Sequence, residues 1–284
     1  MEKDLPTTSP ECASCNTPLQ GKFCFNCGEK RLNPQHDFSG LQFLEETFES
    51  FTHFDSKVLR SLWLLFAKPG FLTAEFIAGR RVRYFKPIPM FIIAGVLFYF
   101  FLSKATAFYS NPWDMNRGFA EGNFISNTFH VDTESLFSQK AAAAGQAPEE
   151  FWKEMSVEAA HRSKTWLFLM IPVWGFMLWL LFYRRIKWAV PHLIYALHGF
   201  TFFVLFDMLC LIILRYGLHF TQVGDDFSMF LAVCFSIYNV MAVRRVYGLG
   251  KIPSVFAGTL AMILFLVILV LYRQSMTIWT LHSF

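Results

Sequence analysis

The chain has 284 residues, 54% of them hydrophobic and 18% aromatic, but only 16% charged. A soluble domain carries about a quarter charged residues, so this deficit, with 35 Phe, excludes an ordinary soluble globule and points to a membrane. The formal net charge of +4 is too small to argue for nucleic acid as a partner. No apolar signal core occupies the first 36 residues, and a cleaved secretory signal is not expected.

Residues 1–36 carry the sharpest motif, "CASCNTPLQGKFCFNCG". Each C-x2-C is a tight turn that aims two sulfurs at one point. Two such turns joined by a short hairpin place Cys12, Cys15, Cys24 and Cys27 at the corners of a tetrahedron around a structural zinc ion. Pro18 and Gly21 favour the hairpin, and Gly28 suits a backbone that folds round to donate N–H groups to sulfur. A module this small has no core, so metal binding would supply most of its folding free energy. Two disulfides, a redox pair and a rubredoxin-type iron site are the competing readings; two matched pairs in a reducing compartment favour zinc. Cys210 and Cys234 fall within apolar runs and read as packing residues.

Residues 37–87 are too polar to span and too aromatic to float free. Acidic residues alternate with Phe38, Phe43, Phe48, Phe51 and Phe54, and Ser56 could cap a helix "KVLRSLWLLFAK" that stops at Pro69-Gly70. A second short helix, "TAEFIAGRR", follows. Both are expected to lie in the membrane interface, apolar face down. Arg80, Arg81, Arg83 and Lys86 would then meet anionic lipid headgroups or serve as a plain positive-inside anchor.

Five apolar runs approach the roughly 20 residues needed to cross a bilayer: 88–108, 165–183, 191–214, 227–243 and 254–272. They divide the rest of the chain into a first span (88–108), an outside loop (109–164) with a helix from about Pro148, a four-helix part (165–272) and an outside terminus (273–284). Basic clusters fall at alternate ends: Arg80 to Lys86, then Arg184, Arg185 and Lys187, then Arg244, Arg245 and Lys251. The opposite ends carry the single charges Lys104, Lys164, Arg215 and Arg273. The positive-inside rule therefore puts the N-terminus in the cytoplasm and the C-terminus outside. The fold class expected is an all-α polytopic integral membrane protein of about five transmembrane helices with a small N-terminal zinc ribbon.

An ionisable residue inside a span is a functional candidate by default. Asp207 is the clearest, on a stripe with His192, Ala196, Gly199, Phe203 and Cys210. His198 points away from that stripe, so the three ionisable residues of this helix form no preassembled site. Ser236 and Asn239 share a face of the following helix, and the two faces are expected to meet, clasping Asp207. The alternative use of Asp207 is a proton or solute relay. No metalloprotease, nucleophile-elbow or P-loop signature is present. His53 and Asp55, near the inner surface, are a weak acid/base candidate, so enzymatic activity is not favoured.

The runs "CASCNTPLQGKFCFNCGEK", "FESFTHFDSKVLRSL", "PGFLTAEFIAGRRVRYFKP" and "RRVYGLGK" together resemble a bacterial membrane-protein family known as domain of unknown function 3667. The resemblance covers Cys12 to about Phe101 and His192 to Lys251, and the outside loop matches poorly. It carries over the four cysteines, the block Gly79 to Tyr84 and Arg245-Val246-Tyr247-Gly248. Relatives often have a further histidine where this chain has Phe200, which weakens any histidine-based chemistry. The resemblance implies a bacterial inner membrane and no activity. The function expected is a membrane-bound scaffold or regulator whose ribbon binds a cytosolic or membrane protein partner, in contact with membrane lipid. Oligomerisation is left open, and a transporter or channel component using Asp207 is the alternative.

Overall fold

The computed structural model describes residues 11–40, 43, 57–105, 133–219 and 225–283. His53, Asp55, the cap at Ser56 and most of the aromatic–acidic stretch before it lie outside the described residues. Among the described residues the secondary structure is helical, and two isolated bridges, Glu11 with Pro18 and Phe23 with Lys30, are its only β pairing.

In chain order the helices are α1 (Pro34–Asp37), α2 (Lys57–Ala67), α3 (Phe71–Ile77), α4 (Pro87–Ala105), α5 (Thr133–Ala143), α6 (Pro148–Phe182), α7 (Ala189–Ile212), α8 (Asp225–Tyr247) and α9 (Lys251–Ser283). A π turn, Ile213–Gly217, extends α7. Three helical stretches are long and apolar enough to cross a membrane, 189–217, 227–247 and 251–283, and they mark the chain as a membrane protein. Two shorter apolar stretches, 87–101 and 168–182, lie beside them.

The long helices pack in the order α4, α7, α6, α9, α8, so that α7 is the most enclosed. Small residues permit the closest crossings. At Gly258 of α9 a Cβ would sit 2.5 Å from the Val240 Cα of α8. At Gly199 a Cβ would meet the Trp174 ring at 2.8 Å. Trp174 stands at the centre, ringed by Tyr195, Phe235 and Phe265 at 5.0–6.0 Å, and its indole N–H donates to the Ala261 carbonyl at 3.1 Å. Between α7 and α8, large rings rather than close backbones make the contact, with Phe202 stacked on Tyr238 at 3.8 Å.

The amphipathic pair α2 and α3 forms a hairpin whose second arm packs against both α7 and α8. The turn explains why. Gly70 adopts φ +72°, and its missing side chain lets the backbone sit directly on Ala242, where a Cβ would be 2.7 Å from Cα. Arg245 Nη1 donates to the Pro69 carbonyl at 2.6 Å, and Ser61 Oγ accepts the Phe85 N–H at 2.9 Å, fastening α2 to the entry of α4.

The helices α6 and α9 run unbroken through 164/165 and 272/273, the expected ends of the apolar spans. No Gly or Pro lies within 149–171 or 254–257 plus 259–283, so nothing breaks α6 or α9 there. At 1.5 Å per residue, α6 (35 residues) and α9 (33 residues) run about 50 Å, well beyond an apolar core of roughly 30 Å. Their far ends join α5 in a separate small cluster of Ala141, Phe151, Met155 and Leu281, with Phe137 against it.

Candidate metal centre and its mounting

The N-terminal module is built twice over. In the first knuckle the Asn16 N–H bonds the Cys12 carbonyl at 2.9 Å and the Cys12 N–H bonds the Thr17 carbonyl at 2.8 Å. In the second, Gly28 N–H to Cys24 carbonyl (2.9 Å) and Cys24 N–H to Glu29 carbonyl (2.8 Å) repeat the pattern. Each turn needs a left-handed residue just after its second cysteine, and Asn16 (φ +58°) and Gly28 (φ +74°) provide it. The N–H groups of Thr17 and Glu29 reach the sulfurs of Cys15 and Cys27.

The knuckles face each other. Cys12 Sγ is 3.5 Å from Cys27 Sγ, Cys15 Sγ is 3.5 Å from Cys24 Sγ, and all four sulfurs lie within 4.8 Å of one another. A tetrahedral ion with bonds of about 2.3 Å sets sulfurs about 3.8 Å apart, so the donor set and its spacing fit a metal ion. The thiols are electrostatically uneven. Hydrogen bonding to Thr17 draws Cys15 down to about 6, whereas desolvation pushes Cys27 up to about 12. A cation among the sulfurs would favour the thiolate at all four.

The module is bolted to the segment between α3 and α4. Glu29 is 3% exposed, and its Oε2 accepts from Ser14 Oγ (2.7 Å) and from the backbone N–H groups of Arg81 (3.0 Å) and Val82 (3.1 Å). Arg83 donates to the Ser14 carbonyl at 2.7 Å. Leu32 covers Gly79, whose φ of +80° and lack of Cβ admit it. Lys30 bonds Asp37 Oδ1 at 2.8 Å while the Asn33 N–H takes Oδ2 at 2.9 Å.

The basic residues expected at headgroups therefore have protein partners. Arg80 pairs with Glu75, which also accepts from the Tyr84 hydroxyl. Arg81 donates to the Phe76 carbonyl and lies over the Phe76 ring at 4.3 Å. Arg83 reaches the four-cysteine module, and Lys86 lines a narrow cleft with Arg80, Arg81, Tyr84 and His198.

The candidate intramembrane residues do not form one site. His192 Nε2 lies 3.0 Å from the Ile186 carbonyl, which can only accept; Nε2 must carry the proton, and Nδ1 then accepts from the Tyr247 hydroxyl at 2.9 Å. His198, six residues further along α7, bonds Thr73 of the hairpin through Nδ1 at 2.9 Å. Asn239 accepts from the Tyr195 hydroxyl at 2.9 Å and donates to the Phe235 carbonyl. Tyr195 is 12 residues from Asp207, about 18 Å along the helix. Asn239 is thus turned to Tyr195 and not to Asp207. Asp207 is buried at 5% exposure, and Ser236 is half-buried.

Sequence reasoning missed Glu29, Ser14, Thr73 and Tyr195. Their partners lie 15 to 125 residues away, and no local pattern announces such pairs. Residues 55–99 match the model of a family described as Protein of unknown function (DUF3667). No curated protein and no solved structure matches the chain.

Proposed function

We propose, from the chain's own geometry and with residues 55–99 similar to the DUF3667 family, whose description carries no activity, that the protein is a membrane-anchored adaptor. Its four cysteines hold structural zinc, and the resulting knuckle is presented to a protein partner in the cytosol. The carrying observation is the division of labour on the module. Ser14, Glu29 and Leu32 take up its contacts with the membrane domain. None of those contacts uses Phe23 or Phe25, which stand 58% and 71% exposed. Aromatic anchors on a rigid support are the residue type enriched at interface hot spots.

The two shorter apolar stretches, 87–101 and 168–182, join the three longer ones as spans in this reading, giving five. Arg184 and Arg185 follow the end of α6, Arg244 and Arg245 close α8, and Lys251 opens α9. That distribution supports a cytoplasmic N-terminus in a bacterial inner membrane, where thiols stay reduced and available to zinc. Lys86, just before α4, is the residue of the basic block that this reading keeps for a lipid headgroup.

The test is co-purification from the native membrane of the intact protein, Phe25→Ser and Cys24→Ser, with zinc content measured in each. A protein retained by the intact chain should be lost from Phe25→Ser at unchanged zinc content, and from Cys24→Ser together with the zinc. Retention by both variants would overturn the adaptor reading.

A further inference from the structure

We infer that the four-cysteine cluster is the sensing end of a metal-dependent latch, whose occupancy decides whether the segment Gly79–Lys86 is pinned or released. This rests on the reading of the cluster as a metal centre. The latch residues come one from each knuckle. Ser14 lies between Cys12 and Cys15, and Glu29 lies two residues after Cys27. The backbone of Glu29 is fixed by its own knuckle, its N–H toward the Cys27 sulfur and its carbonyl toward the Cys24 N–H. Each bridge is internal to one knuckle, Glu11 with Pro18 and Phe23 with Lys30. Across the gap run the sulfur contacts, the Ser14–Glu29 bond and one exposed Asn26–Thr17 bond of 3.3 Å.

A cation bound by all four sulfurs is what holds the knuckles face to face, because without it the sulfurs take up protons and offer one another only weak thiol contacts. When the knuckles part, Ser14 leaves Glu29 and the carboxylate loses its alignment on the Arg81 and Val82 N–H groups. Arg83 loses the Ser14 carbonyl in the same step. The freed segment is the connection between α3, seated against α7 and α8, and α4. Metal supply at the knuckle is thereby read out at the membrane helices, with Glu29 as the positioning residue.

The measurement is amide hydrogen exchange over 79–86 in the full-length protein in lipid nanodiscs. It is made with zinc, after chelation, and for Glu29→Ala and Ser14→Ala with zinc present and its content assayed. Chelation and Glu29→Ala should each lower protection at Arg81 and Val82 about ten- to hundred-fold, the range for hydrogen bonds to a charged acceptor, while α7 keeps its protection. Ser14→Ala should give a smaller loss at unchanged zinc content. Zinc removed, or Glu29→Ala with zinc retained, and protection unchanged at both amides would overturn the latch and leave the adaptor reading standing. Failure of the protein to bind zinc would overturn both.

Discussion

Asp37 shows how a single residue sets the pH range of the mounting. It is 2% exposed, and burial alone would raise its pKa. The Lys30 hydrogen bond, the Asn33 N–H and the charges of Arg81 and Lys30 outweigh that and hold it below the usual carboxylate range. A carboxyl depressed in the folded state contributes stability above its unfolded value of about 4 and loses it as pH falls through the folded value. Protection of the Asn33 amide should therefore persist at neutral pH and collapse below about pH 4. Asp37→Asn should lower that protection at neutral pH and flatten its acid limb, as measured by amide exchange. Cysteine chemistry gives a second prediction at this scale. Cys24→Ser should abolish stoichiometric zinc, whereas Cys210→Ser and Cys234→Ser should leave zinc content unchanged, read by elemental analysis of the purified protein. These cysteines were the most legible part of the chain. Their ligand spacing is local, so the four-sulfur cluster follows from short-range geometry that the sequence displays directly.

Among the elements, the helices follow from apolar runs and breakers. The stop of α2 at Pro69-Gly70 falls where the chain announces it. What the hairpin packs against was not legible, since amphipathicity identifies an apolar face without naming its cover. A membrane surface and a bundle of helices offer the same apolar welcome, and the backbone contact of Gly70 with Ala242 seats the hairpin's turn on the bundle. The α8–α9 crossing depends equally on a missing side chain. Gly258→Leu would drive atoms into the Val240 backbone and should cost about 1–3 kcal/mol or more, seen as a lower unfolding midpoint in detergent. An equally large change at the exposed Ile263 of the same helix should cost far less. Arg245 is a further case of double use. Its place at a helix end suggests an orientation signal, and its hydrogen bond to Pro69 makes it a clamp on the hairpin.

At the scale of the whole molecule, two small structures sit at opposite ends of one bundle. The four-cysteine module and hairpin lie where α4, α7 and α9 begin, and the cluster of Ala141, Phe151, Met155 and Leu281 lies where α9 ends and α6 starts. Their separation predicts independence. Phe151→Ala removes a buried ring and should destabilise the far cluster by about 3–5 kcal/mol, detected as increased exchange in α5, with zinc content and the protection of Arg81 unaltered. A reporter fused after Phe284 should report the side opposite to one inserted at Lys187. The same side for both would overturn the five-span topology.

Composition and residue spacing by themselves determined the membrane character, the long apolar helices and the four-cysteine cluster. Each is a short-range property: a run of apolar side chains must leave water, and two C-x2-C turns must converge their sulfurs. The tertiary structure alone decided that Glu29 fastens the four-cysteine module to Arg81 and Val82, that Thr73 meets His198, and that Asn239 answers Tyr195. Such partners are selected by the way helices and hairpin close over one another. That closure depends on glycines and stacked rings acting together across the whole chain, and a hydrogen bond between distant residues exists only once it is complete.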